Sequence, residues 1–225
     1  MSPRVIAVWT GVLFIFATVT SVLALTLSAP VTDASDIGAA AAASAQGLIS
    51  SVLLMYAASA SIIAIPVVLF PLLRRYSETG ALLYFAIRMF EALAYVLAGI
   101  LTLSLLRIVQ TAAEAPAPGL LAAVNALADI AFDAGPTLFF GLGAVVLGWL
   151  FWRSRLVPGW LALWKLAGGL LIMVRGTLSM YGPLSVGTEM VLFMPIAVNE
   201  MVLAVWLIGL GFNADAVAAL QPTGA

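Results

Sequence analysis

Six long runs of apolar residues follow one another along the chain, each bounded by short polar stretches: 5–27, 47–73, 81–106, 120–152, 158–181 and 189–212. A helix needs about 20 apolar residues to cross a bilayer core. Each run meets that length, so the pattern predicts an all-α polytopic transmembrane bundle of six spans. A transmembrane barrel would need alternating segments of about 10 residues, and the chain has no such alternation. The first run, with Arg4 ahead of it, resembles a signal peptide, but its length exceeds the roughly 7–15 apolar residues of a signal h-region, so it is read as a retained helix. The fourth run is the longest. At 1.5 Å per residue it would reach about 50 Å, beyond a core of about 30 Å, and Gly135-Pro136 is the expected bend. Pro66 and Pro71 predict a kink late in the second run. The stretches 28–46 and 107–119 (with Glu114, Pro116 and Pro118) are expected as loops, and 74–80 as a tight polar turn. No internal repeat stands out, and the whole chain, 1–225, reads as one transmembrane domain.

The third run carries the pattern that organises the rest. Tyr84, Arg88, Glu91, Tyr95 and Thr102 are spaced by three, four or seven residues, so they form one narrow polar stripe on a helix. Lipid would leave these groups unsatisfied, so the stripe must face protein. An arginine at mid-span costs about 2.5–3.5 kcal/mol on insertion scales, and Glu91, one turn on, is placed to pair with it.

Charge then sets orientation. One set of loops holds Arg4, Arg74, Arg75, Arg153 and Arg155, whereas the other holds Arg107. The positive-inside rule predicts both termini in the cytoplasm, and Trp9, Trp152, Trp160 and Trp164 suit an interfacial belt on that side. Composition narrows the chemistry. The 225 residues are 64% hydrophobic and 8% charged, with a net charge of −1 and neither Cys nor His. A soluble domain could not hide so much apolar surface. Nucleic acid is not an expected partner, since no basic patch is present. Without Cys or His there is no thiol chemistry, no histidine base and no site of the kind zinc or iron takes from those ligands. No cofactor or metal is expected.

Depth along each run sorts the remaining charges into two layers. Arg88, Glu91, Asp133, Asn199 and Glu200 fall near mid-membrane; Asp129, Arg175 and Glu189 fall further out. Lys165 lies near the inner end of its span, where it is expected to snorkel. Five acids then face two arginines, and a surplus buried carboxyl would take up a proton; Asp133 or Glu200, sharing a cavity with Arg88, is the expected holder. Set beside this, buried ion pairs can simply fix which helices touch. Gly168, Gly169 and Gly176 suit close helix packing.

Three stretches carry a family likeness: Arg88-Met-Phe-Glu-Ala92; Phe151-Trp-Arg-Ser-Arg-Leu-Val-Pro-Gly-Trp-Leu-Ala-Leu-Trp164; and Met194-Pro-Ile-Ala-Val-Asn-Glu200, continuing to Gly-Phe-Asn213. With the Gly11-Val-Leu-Phe start, they resemble the bacterial integral membrane family named domain of unknown function 4386. Members usually carry a lysine where this chain has Leu210. The resemblance implies a six-helix integral protein of the bacterial inner membrane with no settled activity.

Three functions remain open on these residues. The first is a non-catalytic regulator or tolerance factor whose buried charges hold the bundle. The second is binding or proton-coupled transport of a small molecule at the mid-membrane cluster, for which six helices are few and a homodimer is expected. The third is a membrane-embedded enzyme using a carboxyl general acid on an isoprenoid or lipid, that is, a small hydrophobic ligand. The lipid bilayer is an expected partner in all three.

Overall fold

A computed structural model describes residues 1–112 and 116–220; the Glu114 assigned to a loop lies outside them. The described chain is helical: α1 (Pro3–Thr32), α2 (Ile37–Ala43), α3 (Ala45–Tyr76), α4 (Glu78–Thr111), α5 (Pro118–Phe132), α6 (Ala134–Ser154), α7 (Gly159–Ser179), α8 (Val186–Gly209) and α9 (Ala214–Ala219). Six helical segments are long and apolar enough to cross a membrane, with α5 and α6 together making the fourth. The spans lie in the order the apolar runs predict.

The spans pack as a closed ring in the order α1, α3, α4, α6, α7, α8 and back to α1. The closing contact is direct. Gly11 of α1 is tight against Ala204 O of α8: a Cβ there would come within 2.6 Å of that oxygen. At the end of the ring, Arg4 donates to Ile208 O at 2.6 Å and to Leu207 O at 3.4 Å. Those carbonyls belong to the last turn of α8, which has too few backbone donors of its own and carries partial negative charge. The start of α1 and the end of α8 therefore share one end of the bundle.

The helices differ in length. α7 and α8 have 21 and 24 residues, about 32 and 36 Å at 1.5 Å per residue, which matches a bilayer. α1, α3 and α4 have 30, 32 and 34. At the end away from Arg4 the longer helices gather α2 and part of α5 around a separate apolar cluster of Val31, Ala41, Leu48, Leu105, Leu106 and Leu121.

Two expectations about connections change. The stretch 28–46 is mostly helical. α1 runs on to Thr32, and the alanine run after Gly38 forms α2, because alanine is the best helix former and Asp36 caps the turn by accepting from Ala39 N at 3.0 Å. α3 stays helical through Pro66 and Pro71. The turn at 74–80 narrows to Ser77, whose hydroxyl accepts from Gly80 N at 3.1 Å and starts α4.

The fourth run is interrupted at Asp133, two positions before the Gly135-Pro136 where a bend is expected, and α6 begins at the next residue. α6 and α7 then pack with almost no side chain between them. A Cβ on Gly169 would lie 2.8 Å from Gly141 O and 2.9 Å from Val145 N, and one on Gly148 would lie 2.9 Å from Leu166 N. Gly168 faces the other neighbour: a Cβ added there would lie 3.0 Å from Ile196 Cα of α8. The two adjacent glycines thus let α7 approach a different helix on each side, the close packing expected of them.

Candidate functional site

The stripe on α4 faces inward as its spacing requires. Tyr84, Arg88, Glu91 and Thr102 are buried, and Tyr95 is half-buried. Arg88 reaches Glu91 across one helical turn, Nη1 to Oε2 at 2.8 Å. The contact has the length of a hydrogen bond without its direction, so Glu91 Oε2 and Arg88 Nε have no hydrogen-bond partner among the described residues. The guanidinium is accommodated by α6. Its Cζ lies 5.8 Å from the ring centre of Phe140, and Gly143 leaves room for the stem: a Cβ there would sit 3.2 Å from Arg88 Cδ.

A second pair completes the centre of the ring, and it includes a residue assigned elsewhere on sequence. Lys165 is only 1% exposed. It donates from Nζ to Glu200 Oε1 at 2.9 Å and lies 5.0 Å from the ring centre of Phe14 on α1. It does not snorkel. Counting residues from the span end gave its depth but ignored its face. Leu161, Lys165, Gly168, Ile172 and Gly176, at helical spacing, are all buried on the inner side of α7, and that periodicity was the signal available. Arg88, Glu91, Lys165 and Glu200 act on one another electrostatically, so they form one four-charge cluster of zero formal net charge. Beside it, Asn199 is fully buried and ties α8 to α7 by donating from Nδ2 to Leu161 O at 3.1 Å. Asn199 Oδ1 has no partner among the described residues.

Asp133 is not part of this centre. Together with Glu189 it holds Arg175: Arg175 Nη1 donates to Asp133 Oδ1 and to Thr137 Oγ1, the latter at 3.2 Å, while Nε donates to Glu189 Oε2 at 2.6 Å. The break at Asp133 explains the displacement. α6 alone has 21 residues, about 32 Å, so its first residues already lie a full bilayer depth from Ser154. Depth measured from the middle of the 120–152 run puts Asp133 too near mid-membrane. Arg175 thereby pins the α5–α6 bend to α7 and to the first turn of α8. Asp129, expected beside Arg175, instead lines a small cavity of about 30 Å³ with Ser28, Thr32, Thr102 and Asn125. That is room for about one water molecule.

With Lys165 included, the charges at depth are three cations and five acids. The surplus acid expected at the centre is absent there, since each of the two central cations has one carboxylate. Two carboxylates share Arg175 instead, at the rim. Among the described residues no group of His, Cys, Asp or Glu is arranged to hold a metal ion.

The likeness carried by Arg88-Met-Phe-Glu91 and by the 151–164 and 194–213 stretches can now be placed. They supply the Arg88–Glu91 pair, the α6–α7 turn and the Asn199–Glu200 face. The family described as Domain of unknown function (DUF4386) matches residues 9–211. The chain belongs to this family. No curated protein and no solved structure matches the chain. The DUF4386 match takes in all seven members of the three ion-pair sets (Arg88 with Glu91, Lys165 with Glu200, and Arg175 with Asp133 and Glu189) but leaves out Arg4, which ties the start of α1 to the end of α8.

Proposed function

We propose that this DUF4386 protein is a non-catalytic factor of the bacterial inner membrane, a regulator or tolerance factor, whose buried charges hold a closed six-span bundle in one arrangement. The observation that supports this most directly is the pairing at the centre. Arg88 with Glu91, and Lys165 with Glu200, are matched one to one. None of the four lines the groove at the Arg155 end or the small cavity near Asp129. A carrier needs its central charges open to water from one side at a time, and an enzyme needs room for substrate beside its acid. Charges that serve as pegs need only each other.

The test is complementation. In a deletion strain, under the stress that reveals its phenotype, the folded double variant Lys165→Met/Glu200→Leu is expected to restore growth as well as wild type. If the double variant reaches the membrane in normal amount and fails to restore growth, the charges do more than hold the bundle, and the proposal is wrong.

The proposed orientation places both termini in the cytoplasm, supported by the five arginines at the end that holds Arg4. A reporter active only in the periplasm, fused after Ala225, is expected to stay silent, while the same reporter inserted in the loop after Met180 is expected to be active. The reverse pattern would overturn the orientation.

A further inference from the structure

The groove at the Arg4 end is built from the α6–α7 turn and the end of α8. Trp152, Arg155, Val157, Trp206, Phe212 and Asn213 line it, and it encloses about 560 Å³. That lies within the roughly 300–1,000 Å³ of typical small-molecule sites. Its far wall is fixed: Asn213 N donates to Leu156 O at 2.9 Å, tying the segment after α8 to the turn. We propose that this groove binds the headgroup of an anionic phospholipid, with Arg155 holding the phosphate.

The polar capacity of the lining is almost entirely donor. Arg155 offers five N–H donors and no acceptor, and each indole offers one N–H. One lone pair of the Asn213 amide oxygen takes the Asp215 N–H at 3.0 Å, and its amide nitrogen offers two further donors. No aspartate or glutamate lines the groove, and among the described residues no carboxylate lies within ion-pair distance of Arg155. Two carbonyls of the last turn of α8, those of Leu207 and Ile208, are taken up by Arg4.

The backbone adds an independent observation. Arg155 closes α6 at φ 56, a left-handed conformation in which glycine is the usual residue. A bulky residue at that position is unusual. Arg155 is exposed and lines the groove from a turn that a glycine would make more easily.

The remaining lining is apolar or aromatic, as an acyl glycerol would require. Trp152 and the neighbouring Trp160 are 45% and 54% exposed, and Trp160 packs edge-on against Trp206 with ring centres 6.2 Å apart. Indoles of this kind sit at headgroup level, and basic pockets between spans are known to take anionic headgroups. A zwitterionic lipid would bring its ammonium into a groove with no acid to receive it.

The test uses the full chain purified in mild detergent and exchanged into mixed micelles containing phosphatidylglycerol or phosphatidylcholine, with retained lipid counted by native mass spectrometry. Wild type is expected to retain phosphatidylglycerol in preference. One surface arginine is worth about fivefold in binding to anionic lipid, and Arg155→Gly is expected to lose about that factor while its melting temperature holds or rises, because the backbone is relieved. Arg155→Gln serves as the second variant, and Arg153→Gln as the control that keeps the preference. An unchanged preference in both Arg155 variants would overturn the proposal. So would equal retention of the two lipids by wild type, or displacement of phosphatidylglycerol by millimolar inorganic phosphate, which would mark the groove as a site for a soluble anion.

Discussion

Replacing Lys165 by methionine is expected to destabilise the bundle by about 3–5 kcal/mol, the usual effect of removing one partner from a buried ion pair. Methionine matches the lysine stem in length and packs well among Phe14, Leu161 and their neighbours. The loss therefore does not come from a cavity. It comes from Glu200, which is 8% exposed and loses the ammonium that Oε1 accepts from at 2.9 Å. Four carbons of lysine stem and one ammonium lie in apolar surroundings only because that carboxylate is there. The double variant Lys165→Met/Glu200→Leu removes both charges and is expected to recover most of the loss, since apolar replacement of a whole buried pair is often neutral or better. Unfolding in mixed detergent micelles, followed by tryptophan fluorescence, measures both. A double variant as unstable as the single would mean that the pair contributes net stability, contrary to the peg reading. Glu91→Ala should behave as Lys165→Met does, because it leaves Arg88 against the Phe140 ring with no carboxylate.

Gly169→Ala is expected to destabilise by about 3 kcal/mol, at the upper end of overpacking effects. Ordinary overpacking is relieved when a neighbouring side chain turns away. Here the added methyl would meet backbone: Gly141 O at 2.8 Å and Val145 N at 2.9 Å. Only separation of α6 from α7 can relieve that contact. Separation would also carry Arg175 away from Asp133 and Thr137, so the α5–α6 bend should loosen in the same variant. Gly159→Ala is the matched control, as its added Cβ has nothing within 4 Å and should be close to neutral. If both alanine variants unfold at the same denaturant concentration, α6 and α7 do not approach as described.

The sequence reading succeeded where one element's own periodicity carried the information. The inward face of α4 followed from the spacing of Tyr84, Arg88, Glu91 and Thr102, and the Arg88–Glu91 pair followed because both residues lie on the same helix. The glycines of α7 were legible as packing positions, although which helix each one faces was not. Two of the failures concern depth, which position along a run gives only when the face and the length of each helix are also known. Lys165 was placed at a water interface although its neighbours on the same face are all apolar or glycine. Asp133 lies near the middle of the 120–152 run, but α6 alone, with 21 residues, already fills a bilayer, so the middle of the run is not the middle of the membrane. The Lys165–Glu200 and Arg175–Asp133 pairs join residues 35 and 42 positions apart, and no local pattern encodes which of several similar depths will meet. α2 was missed because an alanine run between two spans looks like a linker until a cap such as Asp36 is given weight.

The separation of Lys165 from Glu200 also has a meaning in time. The two are 35 residues apart and belong to the fifth and sixth spans. At about 5–20 residues per second of synthesis, roughly 2–7 s pass between making the lysine and making its partner. During that interval the nascent protein carries an ammonium in its fifth span with no carboxylate to receive it, and the ring is still open, because Arg4 has no α8 to hold. A chain cut short before Glu200 would remain in that condition permanently. The pair that joins the fifth and sixth spans of the mature bundle can therefore form only after the last span has been made.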